Sequence, residues 1–270
     1  SLDAKGGFII QYVGELKKKK GNILFEESKN LFHCFSTFIS FLNGRRTSIL
    51  FSQGVFNEEI IWTDYTDYSV DSFKRVFSWC PNRPIEGLNE LWQSFSQLWE
   101  NENDSHFLQS AIHWYIEANS NKGYPEGFII MAQTGLELIY NWLLIDQNKL
   151  LIGNDAENIS ASNKIRLLLS YLNVSTDYPK SFTNLKSVTD TVDAPDAFVQ
   201  IRNAIVHSQE IKRKKLMTIS SKTKFEALQL ALWYIELSLL KILKYNGVYN
   251  SRSSKEIQAF KSIQLVPWAK

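Results

Sequence analysis

A change of pattern near residue 80 limits the folds that this chain of 270 residues can adopt. Residues 80–87 (CPNRPIEG) hold two prolines and a glycine, residue types that end regular secondary structure. Before this cluster, short apolar runs alternate with charged turns. After it, apolar residues recur at helical spacing almost to the end of the chain. The sequence therefore predicts an α+β N-terminal module followed by an all-α bundle of four to five helices.

The N-terminal module, residues 1–100, combines strand-like and helical segments. Its apolar runs predict strands at 8–13, 23–25, 48–52 and 59–63. Between them, residues 27–41 are apolar at helical spacing and stop at the turn signal Asn43-Gly44. Because the sequence begins with Ser1 rather than Met, we expect this module to be an incomplete part of a longer chain, with a sensing or regulatory role.

The second part of the chain is predicted to be helical. Its periodicity predicts helices at 88–100, 105–119, 125–146, 163–172, 195–208 and 224–245. The polar residues 101–104 mark the boundary, and Asp104 is expected to cap the next helix. The last helix is apolar nearly all round, which places it centrally in a bundle. We expect a helical domain over 101–250, with 251–270 packing on it as a tail.

Composition excludes several classes of protein. Cys34 and Cys80 are the only cysteines, so a disulfide framework and a four-cysteine zinc site are impossible, and free thiols suit a reducing cytoplasm. The sequence has no phosphate-binding loop, dinucleotide-binding glycine motif or nucleophile elbow. No stretch reaches the roughly 18 to 20 uncharged apolar residues that cross a bilayer. We therefore expect a cytoplasmic protein without a membrane segment, metal or cofactor.

One predicted helix carries residues suited to RNA chemistry. On the helix 195–208, Asn203 and His207 lie four residues apart and stack, so the Asn203 amide can orient the imidazole. Arg202 lies about 140° from His207 around an ideal helix. A regular helix cannot aim both side chains at one phosphate. Either the helix distorts near His207, or the site is assembled from more than one chain.

Metal-independent RNA cleavage needs a base for the ribose 2′-hydroxyl and a cation for the phosphate. A histidine titrates near neutral pH and serves as the base. An arginine stays charged and presents a fork that matches phosphate oxygens. Taken by itself, however, an Arg and a His on an amphipathic helix are most often surface residues. Because the net charge is only +2, any RNA contact must come from local clusters.

The segment Arg202-Asn203-Ala204-Ile205-Val206-His207 resembles the Arg-x4–6-His signature of the HEPN superfamily. Residues 111–118 (AIHWYIEA) and 130–137 (IMAQTGLE) resemble the first two helices of HEPN domains in ApeA-like anti-phage abortive-infection proteins. The resemblance covers roughly residues 104–247. It implies a helical HEPN-type bundle, a metal-independent endoribonuclease in bacterial defence, and a homodimer whose two motifs form one cleft.

The resemblance also assigns roles to residues. His207 is the expected base, Arg202 the phosphate stabiliser and Asn203 the orienting residue. Some HEPN toxins carry a tyrosine two positions after the histidine, where an antitoxin attaches nucleotides. Gln209 stands there in this chain, which argues against that mode of control. A phage-derived trigger or a separate antitoxin is the expected partner.

Other features of the sequence allow two interpretations each. Lys212-Arg213-Lys214-Lys215 either holds an RNA backbone beside the cleft or forms a solvated basic loop. Glu137, in an otherwise apolar helix, either pairs with Arg202 as support for the cleft or has no such role. The alternative for the whole domain is a HEPN-fold module that binds RNA or protein, or dimerises, without catalysis.

Overall fold

The computed structural model describes residues 10, 12–66, 69–71, 76–81, 85–120, 123–207, 210–254 and 262–269, apart from the side chains of 155, 211–213 and 215. The chain separates into two compact units, Ser1–Phe77 and Ser78–Lys270. The first is a small mixed unit with one long helix and a hairpin. The second is mainly helical. The boundary lies earlier than residue 100, because residues 78–100 pack with the helices that follow.

In the first unit, helix α1 (Phe25–Asn43) buries one face that includes Cys34, Phe38 and Phe41. Its N-terminus is capped by the Glu27 carboxylate, which accepts the Leu24 backbone N–H at 3.1 Å. Strands β1 (Gln53–Phe56) and β2 (Glu59–Thr63) form an antiparallel hairpin. A bulge follows Gly54, where the Trp62 indole lies so close to the backbone that no side chain would fit.

The predicted helix 27–41 and the predicted strand 59–63 are confirmed, and two predicted strands are wrong. Residues 23–25 lead into α1 because the helix cap begins at Leu24. Residues 48–52 form no strand, since the N–H groups of Thr47 and Ile49 donate to hydroxyls of α1, at Ser40 and Ser36. Most of the predicted strand 8–13 lies outside the described residues.

The second unit is mainly a helical bundle. Its α-helices are α2 (Leu88–Trp99), α3 (Glu102–Asn119), α4 (Pro125–Tyr140), α5 (Gly153–Asn158), α6 (Ala161–Tyr171), α7 (Ala194–Val206), α8 (Glu210–Thr218) and α9 (Ser221–Ile242). Helix α4 continues directly into a π-helix, Asn141–Gln147, and a 3₁₀ turn spans Leu185–Ser187. All six predicted helices of this region are present.

Side-chain caps explain where several of these helices begin. Asn101, Ser160, Asp193 and Ser220 each accept the backbone N–H three residues on, at the starts of α3, α6, α7 and α9. Helix α4 has no side-chain cap but opens with Pro125, whose fixed φ suits the first helical position. The expected cap Asp104 is therefore wrong: it supplies the N–H that Asn101 accepts.

The core lies around α4 and α9. Helix α4 packs against α3, α6, α7 and α9, and α9 is buried along most of its length, which agrees with the central position expected from its sequence. Gly135 permits the close approach, because a Cβ there would lie 3.2 Å from the Cβ of Trp114 and 3.3 Å from Cδ1 of Ile235. The expectation of an all-α region needs one correction: β3 (Val248–Asn250) and β4 (Ile263–Leu265) form an antiparallel pair after α9.

Helix α4 with its π-helical extension, Pro125–Gln147, is long and apolar enough to span a membrane by length and composition. Within its apolar 18-residue stretch, 56% is buried inside the structure. A central helix of a folded bundle passes the same length and composition test.

A buried ion pair between Arg252 and Glu236 binds the segment after α9 to the bundle. Arg252 and Glu236 have exposed side-chain fractions of 1% and 0%, and two of the guanidinium nitrogens bind the two carboxylate oxygens at 2.9 and 2.7 Å. Arg252 also donates to Asn119 and Gln229, and Tyr115 donates to Glu236 at 2.7 Å. The polar atoms that join this segment to the core are therefore mutually satisfied.

Candidate functional site

Helix α7 carries the predicted RNA-cutting residues, and its N-terminus is firmly held. The Asp193 carboxylate caps α7 and also accepts two hydrogen bonds from Arg166 of α6, at 2.7 and 2.9 Å. Phe198 and Ile201 point one face of α7 into the core. The buried face and the ion pair between Arg166 and Asp193 therefore fix the orientation of α7, including the side that carries Arg202.

Arg202 and Asn203 line a cavity of about 240 Å³ on this side of the bundle. The other lining residues come from α4, from α6 and from the segment before α6: Gln133, Glu137, Tyr140, Glu157, Ile159, Ala161 and Lys164, with Val199 from α7. Most of these side chains are polar or charged. The structure thus brings together Arg202, Asn203 and Glu137, three of the residues predicted from the sequence.

The guanidinium of Arg202 donates one hydrogen bond within the described residues, and one of its nitrogens is buried without a partner there. Nη1 donates to the Asn203 Oδ1 at 3.1 Å. The Nε atom is buried and has no hydrogen-bond partner among the described residues. A buried donor without a partner is costly, so it marks a position where an acceptor from a ligand would gain a hydrogen bond.

Asn203 does not orient His207, and this expectation is wrong. Its amide oxygen is used by Arg202, and no hydrogen bond joins the described side chains of Asn203 and His207. Helix α7 ends at Val206, and His207 follows in an extended conformation with φ −91° and ψ 108°. His207 is therefore the first residue beyond the helix rather than part of it.

The His207 imidazole is exposed at the end of α7 and does not line the cavity. Its backbone N–H still donates to the Asn203 carbonyl at 3.0 Å, so the residue is anchored while its side chain is accessible. Of the two alternatives that the sequence left open, the helix does change its course at His207. Within one chain, however, this change does not place His207 in the cavity with Arg202.

Glu137 lines the cavity, but it forms no ion pair with Arg202 among the described residues. Its side chain is exposed, so solvent can stabilise its charge. Burial raises the pKa of Tyr140, the Glu137 charge raises it further, and Arg202 opposes the shift. The phenol is therefore neutral at ordinary pH and keeps its proton as a hydrogen-bond donor.

Seven of the ten lining residues were not foreseen from the sequence, among them Gln133, Tyr140 and Lys164. Gln133 is 3% exposed, and its Oε1 is buried without a partner in the described part of the chain. Tyr140 closes one wall, and the Lys164 ammonium lies 5.3 Å from the centre of its ring. Gln133, a polar residue inside an otherwise apolar helix, was the one signal in the sequence that pointed to these cavity residues. Lys164 came close only through the packing of α6 on α4.

The basic run after the motif belongs to a helix, α8, rather than to a loop. Lys214 pairs with Glu210 at 2.7 Å, one helical turn away, and both side chains are exposed. The side chains of Lys212, Arg213 and Lys215, and the whole of Gln209, lie outside the described residues. Their predicted roles in RNA binding and in control remain expectations.

Fold and site together define a two-unit protein whose helical C-terminal unit carries a polar cavity. The chain belongs to the YopA family: the YopA C-terminal domain matches residues 101–263, and the YopA central domain matches residues 1–76. The first match begins at residue 101, where the polar segment marks a boundary in the sequence. The structure adds residues 78–100 to the same unit.

A curated relative supports this assignment along the whole chain. The chain is 28% identical over 270 residues to the "SPbeta prophage-derived uncharacterized protein YopA" of Bacillus subtilis (strain 168). The alignment covers 99% of this chain and 60% of the relative, so the chain spans about three fifths of that protein's length. No solved structure matches the chain. The resemblance to HEPN domains expected from residues 111–118, 130–137 and 202–207 stays a prediction.

Proposed function

We propose that the helical unit is a metal-independent endoribonuclease whose site contains Arg202 and His207 and is completed by a second copy of the chain. One observation carries the proposal: Arg202 lines a polar cavity, and its buried Nε has no hydrogen-bond partner among the described residues. A phosphate oxygen is an acceptor that suits a guanidinium both in charge and in shape.

The proposed reaction is an internal transesterification of RNA. The neutral His207 imidazole takes the proton of a ribose 2′-hydroxyl, and the 2′-oxygen attacks the adjacent phosphorus. The bond from phosphorus to the 5′-oxygen breaks, that oxygen receives a proton from solvent or from a second imidazole, and a 2′,3′-cyclic phosphate remains. Arg202 stabilises the negative charge on the phosphate oxygens. DNA, which lacks the 2′-hydroxyl, is not a substrate.

The separation of the two side chains in one chain favours a composite site. Arg202 faces the cavity, whereas His207 is exposed beyond the end of α7. A two-fold dimer would bring the His207 of one protomer to the partner's Arg202, and it would do so twice. Asn203 then acts as a positioning residue for the guanidinium, through the 3.1 Å hydrogen bond that it accepts.

Cleavage of labelled RNA in the presence of EDTA tests the proposal. We expect His207→Ala to lower the rate by about 10²- to 10⁴-fold, as loss of a general base does. We expect Arg202→Ala to lower it by about 10²- to 10³-fold, as loss of a charge-stabilising donor does. Lys186→Ala, an exposed substitution away from the cavity, is the matched control. Equal activity in all four proteins refutes the proposal.

The oligomeric state provides an independent test. Light scattering should give a dimer for the wild type, and mixing inactive Arg202→Ala with inactive His207→Ala should restore part of the activity, because one mixed site keeps both native residues. A strict monomer with full activity excludes the composite site.

A biological setting follows from the same proposal. We infer that the nuclease acts in the cytoplasm in a conflict between phage and host, which the prophage origin in the relative's name supports. The N-terminal unit would sense a phage-derived trigger or restrain the nuclease, and a separate antitoxin is the alternative partner. Co-purification of a partner protein would distinguish the two.

A second candidate is a binding module without catalysis. The absence of His207 from the cavity lining favours it, because Arg202, Asn203 and Gln133 could hold a phosphate-bearing ligand without a nearby base. This candidate predicts that RNA binds in EDTA, that no cyclic phosphate forms, and that His207→Ala leaves binding unchanged.

A further inference from the structure

A second recess of about 480 Å³ lies in the helical unit, and none of the cavity residues lines it. Its walls come from the π-helix and the residue after it, from the end of α6, from the end of α9 and from the last described residues: Trp142, Leu143, Gln147, Asn148, Tyr171, Lys241, Ile242, Lys244, Asn246 and Trp268. We name it the aromatic–basic groove. Its volume lies in the range of roughly 300 to 1,000 Å³ that is typical of ligand sites.

Three aromatic side chains line the groove, and two of them are fixed by their neighbours. Trp142 stacks on Phe107, with ring centres 4.1 Å apart and planes inclined by 6°. The Trp268 indole N–H donates to the Tyr245 carbonyl at 2.8 Å. Tyr171, at the end of α6, remains 39% exposed. The rings are therefore positioned without a ligand and offer partly exposed aromatic surface.

The charged residues among the described lining of the groove are both basic, Lys241 and Lys244. Neither lysine forms an ion pair with a described acidic residue. The Lys241 ammonium lies 5.1 Å from the centre of the Trp268 ring, so it is held beside an aromatic face. Lys244 takes a left-handed backbone conformation, φ 57°, at the end of α9, where its side chain is exposed.

We propose that the aromatic–basic groove binds unpaired nucleotides of single-stranded RNA. Flat rings beside ammonium groups match a nucleotide chain, whose bases stack while its phosphates contact the lysines. An acidic peptide would use the two lysines but would gain little from the rings, so RNA fits the whole lining better. The identity of the RNA as substrate rests on the proposed nuclease function, whereas the binding chemistry of the groove does not.

The groove would give the protein a preference for unpaired RNA. Bases in a duplex are stacked on one another and are not available to aromatic side chains, so duplex RNA offers the groove only phosphates. Single-stranded RNA would be bound at the groove while a neighbouring phosphodiester is cleaved, which predicts that substitutions in the groove raise KM and leave kcat nearly unchanged.

The test uses the full chain, made inactive by His207→Ala, and a fluorescently labelled oligouridylate. The double substitution Lys241→Gln/Lys244→Gln should weaken binding at least tenfold and reduce the slope of log K against log salt by about 1.4, since each phosphate contact to a single strand contributes about 0.7. Lys186→Gln/Lys222→Gln removes the same charge from exposed positions outside the groove and is the matched control. It should leave both quantities nearly unchanged.

Tyr171→Leu separates stacking from charge. The side chain is already 39% exposed, so the fold should tolerate the change, which circular dichroism would check. We expect at least fivefold weaker RNA binding with an unchanged salt slope, as loss of one stacked base implies. The inference is overturned by unchanged affinity in both groove variants, by equal binding of single-stranded and duplex RNA, or by an oligoglutamate competitor that binds as tightly as RNA.

These outcomes can be told apart from failure of the proposed nuclease. If the wild-type protein cuts no RNA but the groove variants lose RNA binding, the groove assignment stands and the proposed nuclease function is refuted. If RNA is cut and the groove variants keep native KM and affinity, the nuclease stands and the groove assignment fails.

Discussion

Removal of Arg252 should cost this protein a large part of its stability. The residue is 2% exposed, and its guanidinium binds Glu236, Asn119 and Gln229 through four hydrogen bonds of 2.6 to 2.9 Å. In Arg252→Met, the long apolar side chain still fills most of the space. The change therefore tests the charge and the hydrogen bonds more than the packing.

The magnitude follows from the group left behind. Glu236 is 0% exposed, and after the change the Tyr115 hydroxyl is the one side chain of the described residues that still donates to it. Breaking a buried ion pair by removing one partner costs about 3 to 5 kcal/mol, because the remaining charge is buried without compensation. The acceptors of Asn119 and Gln229 belong to the same network, so their losses are not added separately.

A double substitution makes the reasoning sharper. In Arg252→Met/Glu236→Leu, both charges are replaced by apolar groups, and such replacements are often close to neutral. We therefore expect the double variant to be more stable than Arg252→Met alone. Urea denaturation, followed by tryptophan fluorescence and by helical circular dichroism, measures the free energy of unfolding of each protein. The reasoning is refuted if the single variant lies within about 1 kcal/mol of the wild type.

Two further predictions concern charge and thiols. The hydrogen bond from Lys224, at 2.7 Å, lowers the pKa of Glu126 below its ordinary value of 4.5, so its stabilising contribution is present above that value and is lost as the pH falls through the folded-state pKa. Glu126→Gln should therefore cost roughly 1 kcal/mol at neutral pH and almost nothing in strong acid, measured by urea titration at each pH; an equal cost at both would contradict the ion pair. Burial raises the pKa of Cys34 to about 12 and that of Cys80 to about 11. Both thiols should therefore react with a disulfide reagent on the order of a hundredfold more slowly in the native protein than in urea. Rapid labelling of the native protein would contradict this prediction.

The fold of the second unit could be predicted because its signals are local. Each long helix has an apolar face at helical spacing, and caps such as Ser160 and Ser220 follow from the residue type alone. The hairpin β3–β4 could not be predicted, since it joins 248–250 to 263–265 across a long connection. In the first unit, the predicted strand 48–52 was wrong, since the backbone N–H groups of Ile49 and of the preceding Thr47 donate to the hydroxyls of Ser36 and Ser40 in α1.

The candidate site was predictable only in part, for the same reason. The sequence identifies Arg202 and His207 as suitable chemistry, but it places both on one continuous helix. In the structure α7 ends at Val206, and the exposed His207 does not line the cavity. Likewise, Lys164 reaches the cavity through the packing of α6 on α4, which no spacing in the sequence expresses.

Both proposed ligand sites depend on the same central helix. Helix α4 packs against four other helices, and it also carries polar and aromatic residues that line the two proposed sites. Gln133, Glu137 and Tyr140 line the cavity before the π-helix begins, and Trp142 and Gln147 line the groove within it. The change from α to π geometry widens the turn and alters which side chains share a face, as π-helical segments at functional sites do. Tyr140, the last residue of the α-helical part, lines the cavity, and Trp142, two residues later in the π-helix, lines the groove. The point at which α geometry changes to π geometry therefore determines the direction of an aromatic side chain in each site.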